Sequence, residues 1–182
     1  MWGQGIKPNL PSFKEKFNIE GSIISAVDLV NGIGRLAGLE IIDVPGVTGY
    51  YDTNYLGKAE YALRSLKTKD FVYIHIEAPD EAGHSGDLKA KITAIERIDK
   101  DIVGTVLNHF DAQDDVRILI LPDHPTPVEL RTHTSDPVGF IMYGKGIPKE
   151  GSSDYSERTA REKGLKFKSG EELMECFIKK YL

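Results

Sequence analysis

The chain has 182 residues, of which 40% are hydrophobic, and this composition predicts one or two folded domains and excludes a mainly disordered chain. Its net charge of -5 and the lack of a basic stripe argue against nucleic acid as a partner. We find no membrane-length apolar run and no secretion signal, so we expect a cytoplasmic protein without membrane contact. A single cysteine, Cys176, excludes an internal disulfide and a multi-thiolate metal site.

The first half of the chain alternates strand and helix patterns. After an irregular opening rich in Gly and Pro, the predicted elements are a strand at 22–27, a helix at 28–37 ended by Gly38, a strand at 39–44, a helix at about 54–66 and a central strand at 71–77. We expect Asp52 or Thr53 to cap the second helix. Its buried face is predicted to carry Tyr55, Ala59, Ala62 and Leu63.

The second half continues the alternation. It predicts a helix at about 87–110, a strand at 117–121 of the parallel type that is covered on both faces, a strand at 138–143 and a terminal helix at 171–181 with Leu173, Met174 and Phe177 inward. The buried stripe of the long helix is predicted to be Leu88, Ile92, Ile95, Ile98, Ile102, Val106 and Leu107. Such alternation predicts an α/β fold, three-layer α/β/α, with a mostly parallel sheet.

The histidines point to a site. All five lie between His75 and His133, and three short segments stand out: APDEAGH at 78–84, PDHPTP at 122–127 and THTSDP at 132–137. The first two directly follow predicted strands, and ligands bind at the carboxyl ends of strands in open α/β sheets. A helical turn would place Asp80 and His84 on one face, and His133 is close enough along the chain to fold back to the same edge.

Carboxylates and imidazoles without thiolates suit divalent ions such as Mn²⁺, Zn²⁺, Co²⁺ or Mg²⁺. Two ions about 3.5 to 4 Å apart would hold the entering and leaving oxygens of a phosphoryl transfer. The candidate ligands are Asp80, His84 and His133 for one ion and Asp123 and His124 for the other. The second ion would need a further carboxylate and a nucleophile.

Each motif alone is weak, because an Asp and a His four residues apart are more often solvated side chains or part of a helix cap. Their combination at two strand ends favours the metal site. We expect His75 and His109 to be structural, and Glu77 and Glu81 to be solvated or to support ligands. Ser85 has no visible general base, and Cys176 is expected to be a packing residue.

A resemblance to a known family rests on the segments VYIHIEAPDEAGHSGD, ITAIERIDKDIV, LPDHPTPVELRTHTSDPV, SAVDLVNGIGRLAGLEIIDVPGVTGYYDTNY and the opening WGQG. These resemble cofactor-independent phosphoglycerate mutases of the archaeal type, in the alkaline phosphatase superfamily, over roughly residues 2–144. The resemblance implies two divalent ions at a catalytic serine, a phosphoserine intermediate and interconversion of 2- and 3-phosphoglycerate in glycolysis. By matched position, Asp80, His84 and His133 resemble the ligands of one ion, and Asp123 and His124 those of the other.

The chain departs from this family in length. Family members are more than twice as long, and their amino-terminal segment supplies the nucleophilic serine while an inserted cap domain grips the substrate. We therefore expect residues 1–20 to be the return segment from a cap and residues 21–182 to be the carboxyl-terminal part of an alkaline-phosphatase-like domain. Such a partial domain would be inactive alone, and its exposed sheet edge predicts self-association.

Two alternatives stay open. Phosphopentomutases, phosphodiesterases, phosphonate hydrolases and sulfatases of the same superfamily share the ligand set, although the WGQG and DHPTP segments favour the mutase and phosphoglycerate as its small-molecule substrate. A non-catalytic metal-binding module is the other alternative, and the lack of a nucleophile favours it.

Overall fold

The computed structural model describes residues 5–6, 8–110, 115–148 and 154–180. The chain divides into two compact units: the first contains residues 1–82 and 88–106, and the second contains residues 83–87 and 107–182. Both helices and strands are present, so the predicted α/β class is confirmed. Within the described ranges, none of the helices is both long and apolar enough to cross a membrane. The predicted boundary after residue 20 stays a prediction.

The first unit follows the predicted alternation with shorter elements. In chain order they are α1 (Phe13–Phe17), β1 (Gly21–Ile24), α2 (Asp28–Leu36), β2 (Glu40–Ile41), α3 (Tyr55–Ser65), β3 (Phe71–Ile74), α4 (Ala78–Ser85), α5 (Leu88–Arg97), a π-helical segment (Ile98–Val103) and α6 (Gly104–His109). The last residues of α4 and of α6 belong to the second unit. Residues 1–4 and 7 of the predicted irregular opening lie outside the described residues.

Three parallel strands form the sheet of the first unit, in the order β2-β1-β3. The expectation that residues 71–77 form the central strand is wrong for the described residues, because β1 takes that place and β3 pairs with it from one side. All four residues of β1 are buried. Neighbours approach it closely: a Cβ on Gly21 would lie 2.9 Å from side-chain atoms of both Leu39 and Phe71.

Helix α3 buries the predicted face against this sheet. Its four predicted core residues, Tyr55, Ala59, Ala62 and Leu63, are all buried. The predicted cap is wrong, because the side chain of Asn54 accepts the backbone N–H of Gly57 at 2.8 Å. Thr53 instead accepts the backbone N–H of Thr48 within the preceding turn. Any of several adjacent polar residues can cap a helix, and the turn geometry selects one of them.

The predicted long helix is helical from α5 through α6, and its buried stripe is confirmed at Ile98 and Ile102 but wrong within α5 and at Leu107. Ala94 and Ile102 are buried, and Ile98 packs against the same core. Four members of the predicted stripe are instead exposed, namely Leu88, Ile92, Ile95 and Leu107. The residues that face the core are Ala94, Ile98 and Ile102, which are four positions apart. The wider turn of the π-helical segment changes the direction in which the side chains after it point.

The second unit pairs β4 (Arg117–Ile120) with β5 (Ile141–Gly144). These strands are antiparallel, so the parallel pairing predicted for residues 117–121 is wrong in the part of the chain that is described. A short apolar run does not encode strand direction. Gly144 has a φ of 120°, and a Cβ there would meet the backbone of Val116, so only glycine fits this strand end.

The chain ends in α7 (Glu157–Lys163), α8 (Gly170–Glu175) and a π-helical segment (Cys176–Lys180). Leu173 is buried as predicted, whereas Met174 and Phe177 are only half-buried and Ile178 is buried beside them. Cys176 is half-buried in this helical region, as expected for a packing residue. The predicted end of the helix at residue 181 lies outside the described residues.

Candidate metal centre

Helix α4 carries the first pair of predicted ligands. It begins directly after Glu77, whose carbonyl accepts the backbone N–H of Asp80 at 2.8 Å, and Pro79 near its start suits a first helical turn. Ala78 and Ala82 are buried on one side of the helix, while His84 is exposed in the last turn. The predicted helical placement of Asp80 and His84 is therefore confirmed.

Three histidines meet in the second unit. The Nε2 atoms of His84 and His133 lie 3.0 Å apart, and the ring centroids of His124 and His133 lie 3.7 Å apart. His133 has thus folded back to the segment that follows β4, as its position in the chain predicted. The structure brings together imidazoles from three separate stretches of sequence.

Asp123 sits beside this cluster. Its Oδ1 accepts the backbone N–H of His124 at 3.0 Å, and its Oδ2 lies 3.5 Å from Nε2 of the same histidine. The carboxylate is largely exposed, with 66% of the side chain accessible. Asp123 and His124 are therefore held as a pair whose oxygen and nitrogen atoms can face the same cation.

Two residues that the sequence analysis missed contact the histidine rings. The hydroxyl of Thr126 lies 3.3 Å from Nδ1 of His124, and Thr126 is buried. The backbone carbonyl of Arg131 lies 3.0 Å from Nδ1 of His84. Partners of this kind on the second ring nitrogen orient a metal-binding histidine. Both residues lie within the quoted segment LPDHPTPVELRTHTSDPV, but nothing in their types indicates these contacts.

Asp80 belongs to the first unit. There its carboxylate lies close to those of Glu77 and Glu81, with one oxygen of each within 4.8 Å of the other two. Glu77 and Glu81 are half-buried rather than fully solvated. Asp80 and His84 both belong to α4. The assignment of Asp80 as a metal ligand stays a prediction.

The remaining histidines occupy other surroundings. In the first unit, Nδ1 of His75 lies 3.2 Å from the hydroxyl of Ser25, and its Nε2 lies 3.5 Å from a carboxylate oxygen of Glu77. His109 ends α6, as predicted, with its ring against Phe110. A histidine at a helix carboxyl end interacts favourably with the helix dipole when protonated.

A buried lysine was also missed. Lys58 of α3 is fully buried, and its Nζ donates a hydrogen bond to the carbonyl of His75 at 2.8 Å. Burial lowers the pKa of Lys58 to about 8, and the charge of Glu77 opposes this effect. Sequence patterns gave no indication of it, because the buried face of α3 was predicted from its apolar residues alone.

The donor set of the second unit fits a divalent cation. Three imidazoles and one carboxylate, without thiolates, are the ligands that Zn²⁺, Mn²⁺ and Co²⁺ accept. The Nε2 atoms of His84 and His133 are near enough to share one ion after a small adjustment of the side chains. His84 and His133 would hold that ion, and Asp123 and His124 form a second pair of donors in the same unit.

Comparison with known proteins also indicates a metal-binding protein. A family model described as the Metalloenzyme superfamily matches residues 1–180. The chain belongs to this superfamily. It is 49% identical over 178 residues to 2,3-bisphosphoglycerate-independent phosphoglycerate mutase 2 of Methanothermobacter thermautotrophicus. This match covers 98% of this chain and 44% of that protein. It is 47% identical over 179 residues to the 2,3-bisphosphoglycerate-independent phosphoglycerate mutase of Methanothrix thermoacetophila, covering 98% and 46%.

Solved structures share the fold of this metalloenzyme-superfamily chain. The PH0037 protein from Pyrococcus horikoshii is similar with a TM-score of 0.80 and 36% identity, over 85% of this chain and 46% of that one. The cofactor-independent phosphoglycerate mutase from Thermoplasma acidophilum shares the fold at a TM-score of 0.58 and 24% identity, over 87% and 35%. The chain spans less than half the length of the curated relatives that it matches.

Proposed function

We propose that this chain is the metal-binding carboxyl-terminal part of a cytoplasmic phosphoglycerate mutase that interconverts 2- and 3-phosphoglycerate in glycolysis. The observation that carries the proposal is the meeting of His84, His124 and His133 in a chain so similar to named mutases. Because the chain covers 44% of that relative, the rest of the machinery would come from the remainder of the protein.

Two divalent ions are assigned to the five predicted ligands. Asp80, His84 and His133 are proposed to hold one ion, and Asp123 and His124 the other. The imidazole-rich set favours Mn²⁺, Zn²⁺ or Co²⁺ over Mg²⁺, which prefers oxygen ligands. When bound, such ions stabilise negative charge on a phosphoryl group during its transfer.

The chain's own residues hold these groups in place. The carbonyl of Arg131 and the hydroxyl of Thr126 orient the imidazoles of His84 and His124, and Asp123 adds a negative charge beside His124. A nucleophilic serine and the groups that grip phosphoglycerate are proposed to lie in the remainder of the protein, as the family resemblance implies. Ser85 is exposed at the end of α4 and is given no catalytic role.

Calorimetric titration of the metal-free chain with Zn²⁺ and Mn²⁺ tests the site. We expect His84→Ala and His124→Ala to weaken binding at least tenfold, whereas His109→Ala, which removes an exposed histidine from α6, leaves it unchanged. If all three variants bound the metal ions with the same affinity, the assignment of His84 and His124 as metal ligands would be wrong. The activity is tested separately, by adding the amino-terminal part of the Methanothermobacter relative and following conversion of 3-phosphoglycerate.

A further inference from the structure

Arg131 has an unusual backbone conformation. Its φ is 54°, and Asn18 is the other non-glycine residue with a positive φ among the described residues. Asn18 ends α1, where asparagine commonly takes this conformation. Arg131 also ends a single helical turn, since its N–H donates to the carbonyl of Pro127 at 2.9 Å, but glycine would be the ordinary residue there. A left-handed arginine costs on the order of 1 kcal/mol and calls for a compensating contact.

The conformation aims the Arg131 carbonyl at His84. The carbonyl oxygen lies 3.0 Å from Nδ1 of His84, and a carbonyl can only accept a hydrogen bond. Nδ1 must therefore carry the proton. In a neutral imidazole the other nitrogen, Nε2, is then an acceptor, and it faces Nε2 of His133 at 3.0 Å.

The arginine side chain contacts the same segment. Its guanidinium occupies the space that a Cβ on Gly86 would need, and Gly86 itself has a φ of 72°. Gly86 and His84 both belong to the short stretch 83–87 of the second unit. Arg131 thus touches this stretch twice, through its carbonyl at His84 in the last turn of α4 and through its guanidinium at Gly86, two residues later.

We propose that Arg131 is a positioning residue whose left-handed backbone fixes His84 in the Nδ1–H tautomer, so that Nε2 is ready to bind a divalent ion. The role of the ion rests on the proposed function, whereas the tautomer does not. The backbone carbonyl carries this role, and the guanidinium secures the loop at Gly86. The tautomer of the His84 ring and the affinity for the metal ion can therefore be measured separately.

The test compares substitutions that differ in their tolerance of a positive φ. Arg131→Gly and Arg131→Asn keep the left-handed conformation accessible and lose the guanidinium, whereas Arg131→Val strongly disfavours the conformation. Arg131→Ala disfavours it without a branched side chain, in case the valine variant does not fold. The measurements are long-range ¹H–¹⁵N NMR spectra of the imidazoles in the metal-free full chain at pH 8, and calorimetric titration with Zn²⁺.

We expect His84 to be the Nδ1–H tautomer in the wild type and in the glycine and asparagine variants, with Zn²⁺ affinity within about threefold. The valine and alanine variants should show mixed His84 tautomers and at least tenfold weaker Zn²⁺ binding, with His109 signals unchanged as an internal control. Wild-type His84 as the Nε2–H tautomer, or a retained Nδ1–H tautomer in both the valine and alanine variants, would overturn the proposal. A fixed tautomer combined with no effect of His84→Ala on Zn²⁺ affinity would instead refute the metal site alone.

Discussion

His84 and His133 are separated by 49 positions in the chain, yet their Nε2 atoms lie 3.0 Å apart. Two neutral imidazoles at this distance share one proton, and with His84 protonated on Nδ1 the donor is His133. A divalent cation held between the rings would take both Nε2 atoms as ligands, and His133 would then carry its proton on Nδ1. Such a pair would be sensitive to the loss of either ring.

We therefore expect His133 to matter more for metal retention than His75 or His109. His133→Ala should lower the metal content after dialysis several-fold, whereas His75→Ala and His109→Ala should retain it, because their rings lie against other partners. Elemental analysis of the dialysed variants measures this. Similar losses at all three positions would show that the histidines bind metal without a defined site.

Thr126 should orient His124. Thr126→Val removes the hydroxyl 3.3 Å from Nδ1 with little change in volume, so we expect about tenfold weaker Zn²⁺ binding. Thr126→Ser keeps a hydroxyl and should restore most of the affinity. If the serine variant binds as weakly as the valine variant while both remain folded, the threonine acts through packing alone.

The isolated chain should have no measurable mutase or phosphatase activity. We propose that the nucleophile and the groups that grip the substrate lie outside this chain, and loss of a covalent nucleophile removes several orders of magnitude of rate. Adding the amino-terminal part of the Methanothermobacter relative should restore conversion of 3-phosphoglycerate. The same mixture with Asp123→Ala and His124→Ala should stay inactive, and robust turnover by this double variant would contradict the ligand roles.

The sequence predicted the local elements well, because strand and helix periodicity is a local property. The same reasoning placed Asp80 and His84 on one helix and returned His133 to the segment after β4. It placed the buried face of α5 wrongly, since periodicity shows that a face is apolar but not which face meets the core. The structure buries Ala94 and leaves Ile92 exposed.

Other features depend on tertiary surroundings. The antiparallel direction of β4 follows from the return of the chain through β5, which no residue of β4 encodes. Burial of Lys58 depends on a carbonyl acceptor far along the chain, at His75. The left-handed Arg131 is stabilised by contacts across the second unit, whereas propensity alone would have placed glycine there. The sequence thus predicted which histidines lie close together better than it predicted what orients them.

Self-association is expected of the isolated chain. In the described residues, β2 and β3 are the edges of the three-stranded sheet, and unpaired strand edges favour pairing with another chain. A lysine placed within an edge strand opposes such pairing, so Tyr73→Lys in β3, at a position between the core residues Val72 and Ile74, should shift the chain toward the monomer. Analytical ultracentrifugation across a concentration series measures this. A wild-type chain that stays monomeric at every concentration would contradict the expectation.

Lys58 should make the stability of the chain rise in alkaline solution. Burial lowers its folded-state pKa to about 8 from the ordinary 10.5, so between these values the unfolded chain holds a proton that the folded chain has lost. The free energy of unfolding then increases with pH, by on the order of 2 kcal/mol from pH 7.5 to 10, since one pKa unit is worth about 1.4 kcal/mol. Urea denaturation should show this rise in the wild type and in Lys89→Met, an exposed control, and not in Lys58→Met. An equal rise in Lys58→Met would mean that other groups cause the pH dependence and would contradict the lowered pKa of Lys58.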